Sequence, residues 1–356
     1  MLRRCLFLII IGVVACSAEA KRLPVVFAHR GCWLGSEVPE NSVAAVEMAR
    51  RYGYTAIECD VHYTKDSVMV LMHDYKNMKR CIRRKSDNGS VGNLKLSDIT
   101  FSDLRENYVL ASDNPQYRTP VPTLEELLIA CKENGIIPLL HSDVIESYHM
   151  AQQMFGNNWI AFSSNESAMK EARRISDCLV LLSFDQVTAE EAISRLRSIG
   201  GRVGISSMNY GMYTHEFCQA IRKAGFEVQS SIFPTPHEAE SIRNGASILL
   251  SDFSYLPNKQ RKPAKVHKIR KTEMPVGETL SLGEEDVHEY GACVLQITFE
   301  GTIEVTLNGE RSYTFHRDEK GTDYVGMRYF RNHPNIHIKS KDNAVLYKGK
   351  ALLYEF

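Results

Sequence analysis

Three short stretches near the amino end bring together residue types that could do chemistry: His29-Arg30-Gly31, Glu58-Cys59-Asp60 and His73-Asp74. Imidazoles move protons near neutral pH, and a guanidinium grips an anion in fork geometry. Alternate positions of a strand share a face, so Glu58 and Asp60 offer two hard oxygen ligands from one side. Singly each stretch is weak, because a histidine at a strand end is more often structural than catalytic. Together they suit metal-assisted attack at phosphorus.

Residues 21–256 alternate short apolar runs with amphipathic stretches. The runs are PVVFAH, TAIECDV, IIPLLH, WIAFSS, CLVLLSF, RVGISS, EVQSSIF and ASILLSD. Continuous Val/Ile/Leu runs between helices indicate a parallel sheet buried on both faces. Eight of them predict a closed (β/α)8 TIM barrel, whose active site lies at the carboxyl ends of its strands. An open doubly wound sheet is the other arrangement of such units. SVMVLMHD follows TAIECDVHYT too closely for a parallel crossover, so the pair must be a hairpin. A two-residue loop at Lys65-Asp66 would set His73 opposite Glu58.

Residues 75–119 form a charged insertion, either a cap over the barrel mouth or a small subdomain. Its basic run from Lys79 to Lys85 reads as a solvated face. VPTLEELL then opens a helix with a capping box at Thr123 and Glu126. The barrel domain spans 21–258, and 259–268 reads as a basic, Pro-containing linker. From 269 to 356 the period changes to two, which predicts an all-β, sandwich-like domain with turns at Glu300-Gly301 and Asn308-Gly309.

The 43 Lys+Arg balance 43 Asp+Glu, which argues against a nucleic-acid partner. No stretch reaches the roughly 18 apolar residues of a membrane span. Residues 1–20 read as a signal peptide, with Arg3-Arg4, an apolar run and Ala18-Glu19-Ala20. Val13-Val14-Ala15-Cys16 is an overlapping lipobox, which would leave a lipid anchor at Cys16. Both imply export, to the periplasm or as an outer-membrane lipoprotein. Of nine cysteines, the seven that follow the signal are an odd number with neither a CxxC nor zinc spacing, and most of them read as small buried hydrophobes.

The stretch FAHRG, then PENSVAAVEMARRYGYTAIECDVHYTKDSVMVLMHD, and later VPTLEELL, resembles the glycerophosphodiester phosphodiesterase family, in particular its exported bacterial members. The similarity is strong over 25–74, weaker to Asp252, and absent after Lys259. The resemblance implies a small-molecule glycerophosphodiester substrate, hydrolysed to glycerol 3-phosphate and an alcohol. It implies a divalent cation, Mg or Ca, held by Glu58, Asp60 and a third carboxylate. By position His29 and His73 become the acid/base pair, and Arg30 binds the phosphate.

The chain departs from the family pattern in three places. Where a Glu-x-Lys is usual it has His141 and Asp143, and both are candidate metal ligands. An imidazole would favour Mn or Zn, whereas Asp143 would restore the oxygen and its charge and is the preferred ligand of the two. The strand that often carries Trp has Ser230 and Ser231, and Thr-Asp becomes Ser251-Asp252. These departures admit two other functions. One is an inactive barrel that binds phosphodiesters or lipids; the other is a phosphodiesterase shifted to lysophospholipids or wall polymers. Trp33 reads as pocket wall or core, and His333 and His337 as surface residues.

Overall fold

The computed structural model describes residues 25–33, 38–51, 54–231, 241, 244–251, 265–269, 272–274, 279–282, 290–307, 311–330 and 336–355. The expected signal peptide, Cys16, Asp252 and His333 lie outside them.

The first strand, β1 (Val25–Ala28), leads to helix α1 (Val43–Arg51) and the longer β2 (Ala56–Tyr63). A short β3 (Met69–Leu71) turns back along β2, and the insertion follows with β4 (Ile82–Arg84), α2 (Phe101–Asn107) and β5 (Tyr108–Leu110). Then come α3 (Leu124–Asn134), β6 (Ile137–His141), α4 (Ile145–Phe155), β7 (Ile160–Ser163), α5 (Glu166–Ile175) and β8 (Leu179–Ser183). The series ends with α6 (Ala189–Ile199), β9 (Val203–Ser207), α7 (His215–Lys223), β10 (Glu227–Ser231) and β11 (Ile248–Ser251).

Eight of these strands are parallel, in the order β1-β11-β10-β9-β8-β7-β6-β2, and β1 also pairs with β2. The sheet is therefore closed: this is the (β/α)8 barrel, and all eight apolar runs are its strands. Alternation divides each strand between two cores. Phe27, Leu139, Phe162, Leu181 and Leu250 fill the lumen. Ala28, Leu140, Ala161, Val180 and Leu249 pack outward under the helices. The predicted capping box is present at Thr123 and Glu126, and α3 stops at Gly135 in the left-handed conformation that its missing Cβ permits.

The hairpin register differs from expectation by one residue. Val61 pairs with Leu71, His62 with Val70 and Tyr63 with Met69. The Thr64 carbonyl accepts from Ser67 N, and Ser67 adopts φ 61°. The turn thus takes three residues, a β-turn followed by a left-handed position, instead of the two assumed. Met72 N still reaches the Asp60 carbonyl at 2.9 Å, so His73 lies just past the ladder and not opposite Glu58.

The insertion has a core of its own. Met78, Cys81, Ile82, Leu96, Leu104 and Leu110 are buried together, and β4 pairs with β5. It fits a small subdomain better than an irregular cap.

The carboxyl-terminal strands form one seven-stranded antiparallel sheet. Its members are β12 (Lys265–Ile269), β13 (Thr272–Met274), β14 (Thr279–Leu282), β15 (Tyr290–Leu307), β16 (Arg311–Phe330), β17 (Ile336–Ser340) and β18 (Ala344–Glu355). The strand β12 starts inside the span read as linker, because 349–353 of β18 supplies it with a ladder. Gly301 is not a hairpin turn: at φ 94° it forms a bulge in the middle of β15. Leu295, Ile297, Phe299, Val305 and Ile338 make the apolar core of this sheet. Arg51, at the end of α1, lies 3.8 Å from Asp323 and over the Phe315 ring, which ties β16 to the barrel.

Candidate active site

The loop after β1 is built on two consecutive left-handed residues, Arg30 at φ 55° and Gly31 at φ 79°. A Cβ on Gly31 would come within 2.5 Å of the Ala45 Cβ, so only glycine lets α1 approach this closely. The bend costs Arg30 about 1–3 kcal/mol of backbone strain. In return its amide points inward and donates to Glu58 Oε2 at 2.9 Å.

Glu58 and Asp60 are buried on the lumen face of β2, 0% and 2% exposed. Asn41 fixes Asp60 from two sides: its Nδ2 donates to Asp60 Oδ2 at 2.9 Å, and its Oδ1 accepts from Asp60 N at 3.0 Å. His141, the last residue of β6, sits beside the pair. Its Nδ1 is 3.0 Å from Asp60 Oδ1 and 3.5 Å from Glu58 Oε1. Burial opposes a charged ring, but hydrogen bonding and attraction from the two carboxylates outweigh it and raise the His141 pKa to about 10. Asp60 is likewise pushed up by burial, yet His141, His73 and Asn41 hold its carboxyl far below the usual range.

Glu58, Asp60 and His141 each present a ligand atom, all within 4.8 Å of one another. Glu58 Oε1 is buried without a hydrogen-bond partner. Such an oxygen, beside one other carboxylate and an imidazole, fits a divalent cation. Asp143 is not a member of this group of three. It lies past the end of β6, where Ser163 Oγ on β7 donates to its Oδ1 at 2.5 Å. The preferred third ligand is thus turned to a neighbouring hydroxyl, and His141 stands in its place.

The other expected groups border this cluster. His29 is buried with Nε2 3.9 Å from Glu58 Oε2. The Arg30 guanidinium lies over the carboxylates, Nε 3.7 Å from Asp60 Oδ2, and this buried Nε makes no hydrogen bond. His73 Nδ1 is 2.6 Å from Asp74 Oδ1. Burial tends to raise the Asp74 pKa, but Arg80 and His73 lower it to about 2. The ionised carboxylate can only accept, so Nδ1 carries the proton and Nε2 is left for exchange.

A family model for the glycerophosphoryl diester phosphodiesterase family matches residues 29–203. Human glycerophosphodiester phosphodiesterase 1 is 32% identical over 141 residues, 38% of this chain and 38% of that protein. An uncharacterized Bacillus subtilis protein, YqiK, is 31% identical over 243 residues, 64% of this chain and 94% of its own length. The chain belongs to this phosphodiesterase family. Solved structures agree in fold. A Galdieria sulphuraria protein described as a glycerophosphodiester phosphodiesterase superposes with TM-score 0.54 at 18% identity, over 65% of this chain and 95% of that one. An Oleispira antarctica phosphodiesterase, crystallised with the product sn-glycerol-3-phosphate, gives 0.52 at 19%, over 65% and 94%. The match to the human relative covers little more than a third of that protein's length.

Three further residues join this network of hydrogen bonds. Asn41 and Glu40 stand in PENS and reach Asp60 and Arg30. Arg80 was read as part of a solvated basic face, yet both its Nη atoms donate to Glu40 at 2.7 Å. Charge alternation along the insertion gave no sign of this, because the partners lie in other elements. Trp33 donates its Nε1 to the His29 carbonyl at 3.1 Å, which makes it a brace of the loop.

Proposed function

We propose that this chain is a divalent-metal-dependent phosphoric diester hydrolase that cleaves glycerophosphodiesters to glycerol 3-phosphate and an alcohol. The observation that carries this reading is that two buried polar atoms without a hydrogen bond, Glu58 Oε1 and Arg30 Nε, belong to one charged cluster bordered by His29. One invites a cation and the other an anion, as a metal-bound phosphodiester requires.

Glu58, Asp60 and His141 would hold the cation, which when bound neutralises phosphate charge and polarises the phosphorus centre. A donor set with one imidazole suits Mn or Zn as well as Mg or Ca. Arg30 orients the phosphate through its Nε, which makes no hydrogen bond within the chain. Hydrolysis needs one proton removed from the attacking oxygen as the new P–O bond forms. It needs another delivered to the alcohol oxygen as the old bond breaks. His29 and His73 form the pair placed for these transfers, with His73 exchanging at Nε2. The apolar run at 6–14 supports export of the mature chain, which N-terminal sequencing of secreted protein would test.

A screen of glycerophosphodiesters and lysolipids, with metal-stripped and metal-repleted protein, tests the reading. Hydrolysis of a glycerophosphodiester only after repletion is expected. Tight binding without turnover under every metal would make the chain a binding module instead.

A further inference from the structure

We propose that Arg80 is a positioning residue whose guanidinium joins the proton-transferring arm of the site to its phosphate-gripping arm. The inference rests on the phosphodiesterase reading above and adds to it a role for the insertion.

Arg80 uses all three of its nitrogens. Nη1 and Nη2 each donate to Glu40 at 2.7 Å in a bidentate fork, and Nε donates to Asp74 Oδ2 at 2.8 Å. Each of these carboxylates has a second partner in the site. Asp74 Oδ1 accepts from His73 Nδ1, and Glu40 Oε2 accepts from Arg30 Nη1 at 3.1 Å. One planar group therefore closes an unbroken series: His73, Asp74, Arg80, Glu40, Arg30. The charges along it alternate. Arg80 balances a carboxylate on each side, so neither carboxylate confronts the phosphate with unopposed negative charge.

Removing Arg80 has two separate consequences. Asp74 loses the bond that fixes its plane, and with it goes the constraint on the His73 tautomer. Glu40, which is 6% exposed, is left with Arg30 as its only cationic partner among the described residues, beside the Cys81 thiol that donates to its Oε1 at 3.5 Å. It then draws that guanidinium towards itself and away from the phosphate. Lysine cannot substitute, because a compact ammonium does not reproduce a fork to one carboxylate and a third bond to another.

A merely structural pair would look different, and the insertion contains one. Arg105 donates to both Glu126 oxygens, at 3.1 and 2.9 Å, and to the Val121 carbonyl, pinning the insertion to α3 with no link to the site. The insertion also keeps its own apolar core, so it does not depend on Arg80 for its fold.

The test compares Arg80→Ala, Arg80→Lys and Arg105→Ala in the full chain, supplied with divalent metal and a glycerophosphodiester. For Arg80→Ala, kcat should fall about 10–100-fold, the usual range for outer-shell groups, with a smaller change in KM. Added guanidinium should restore part of the loss, whereas Arg80→Lys should remain well below wild type. Arg105→Ala should lower Tm and leave kcat alone. Nitrogen-15 NMR of the His73 ring should show one tautomer in wild type and a mixture in Arg80→Ala. Wild-type kcat in Arg80→Ala would overturn the proposal. So would a loss that guanidinium does not rescue and that leaves the His73 tautomer unchanged. If wild type hydrolyses nothing, the phosphodiesterase reading fails, and the NMR comparison still decides the coupling.

Discussion

The two sides of the barrel mouth are built on opposite principles. On the side of β1, β2 and β6, joined by the insertion, charged groups are braced by others: Asp60 by Asn41 and His141, Glu40 by Arg30 and Arg80, Asp74 by His73 and Arg80. On the side of β8, β9 and β10 the lumen positions are neutral: Ser183, Ser206, Gln229 and Ser231. Gln229 Nε2 donates to Ser206 Oγ at 3.0 Å, but Gln229 Oε1 and Ser231 Oγ are buried without a hydrogen-bond partner among the described residues. The difference separates two tasks. Fixed charges must be pre-aimed to act on a transition state, whereas a neutral wall can leave hydrogen-bonding capacity for the ligand to fill.

The largest effects should therefore come from the charged side. Chelation, Glu58→Ala and Asp60→Ala should each reduce turnover at least about 10³-fold, since charge neutralisation at phosphorus is worth several kcal/mol. Full activity in strong chelator, after verified metal removal, would break the metal reading. Within the same cluster, metal titration should find affinity weakened at least about tenfold by His141→Ala and little changed by Asp143→Asn. The reverse order would restore Asp143 as the ligand.

Proton transfer comes next. His29→Ala and His73→Ala should each lower kcat by about 10²–10⁴, with folding intact by circular dichroism. If either variant keeps wild-type turnover, that histidine is not one of the pair.

The same two sides differ in how far the sequence disclosed them. Most of the eight strands were legible as short, largely apolar runs, the usual pattern of parallel strands buried on both faces, although β10 reads EVQSS. Glu58 and Asp60 were legible as a pair because alternate positions of a strand share a face, whereas His141 was legible only through its place in the family pattern that the chain resembles. The hairpin register was not, since one left-handed residue at Ser67 shifts every later pairing and serine does not announce it. The position of Asp143 was not legible for a related reason. Parity holds only while the strand lasts, and β6 ends at His141. Arg80 was invisible because its partners, Glu40 and Asp74, lie 40 and 6 residues away in different elements. Bonds of that kind carry no periodicity. Gly301 likewise reads as a turn from composition alone, and the pairing of β15 with β16 reveals a bulge there.

A smaller effect probes the bracing through acidity. Asp74 titrates at about 2 in the folded chain against an ordinary 3.8. A carboxyl lowered on folding contributes stability that is full above about 3.8 and disappears as pH falls through about 2. The Tm difference between wild type and Asp74→Asn should accordingly be steady near neutrality and close between those two pH values. A gap that persists to about pH 2 would show that the carboxylate charge is not its source.

The smallest effect belongs to the neutral wall, and it carries an unusual signature. Ser231 is 4% exposed, and its Oγ has no hydrogen-bond partner among the described residues. A buried hydroxyl left unsatisfied costs about 1–3 kcal/mol. Ser231→Ala removes that hydroxyl while opening little space, so Tm should hold or rise. If the hydroxyl instead awaits a group on the substrate, the same variant loses a hydrogen bond made only in the complex. Such a bond is worth about 0.5–1.5 kcal/mol net, which corresponds to roughly a two- to tenfold rise in KM with kcat nearly unchanged. Stability and affinity then move in opposite directions from a single atom. Ser231→Trp sharpens the contrast, because a bulky ring at this position fills the lumen where a serine leaves room, and it should raise KM further for large alcohol groups than for small ones. Unchanged KM in Ser231→Ala, across both large and small substrates, would mean that the neutral wall only packs, and that the charged side alone selects what is cleaved.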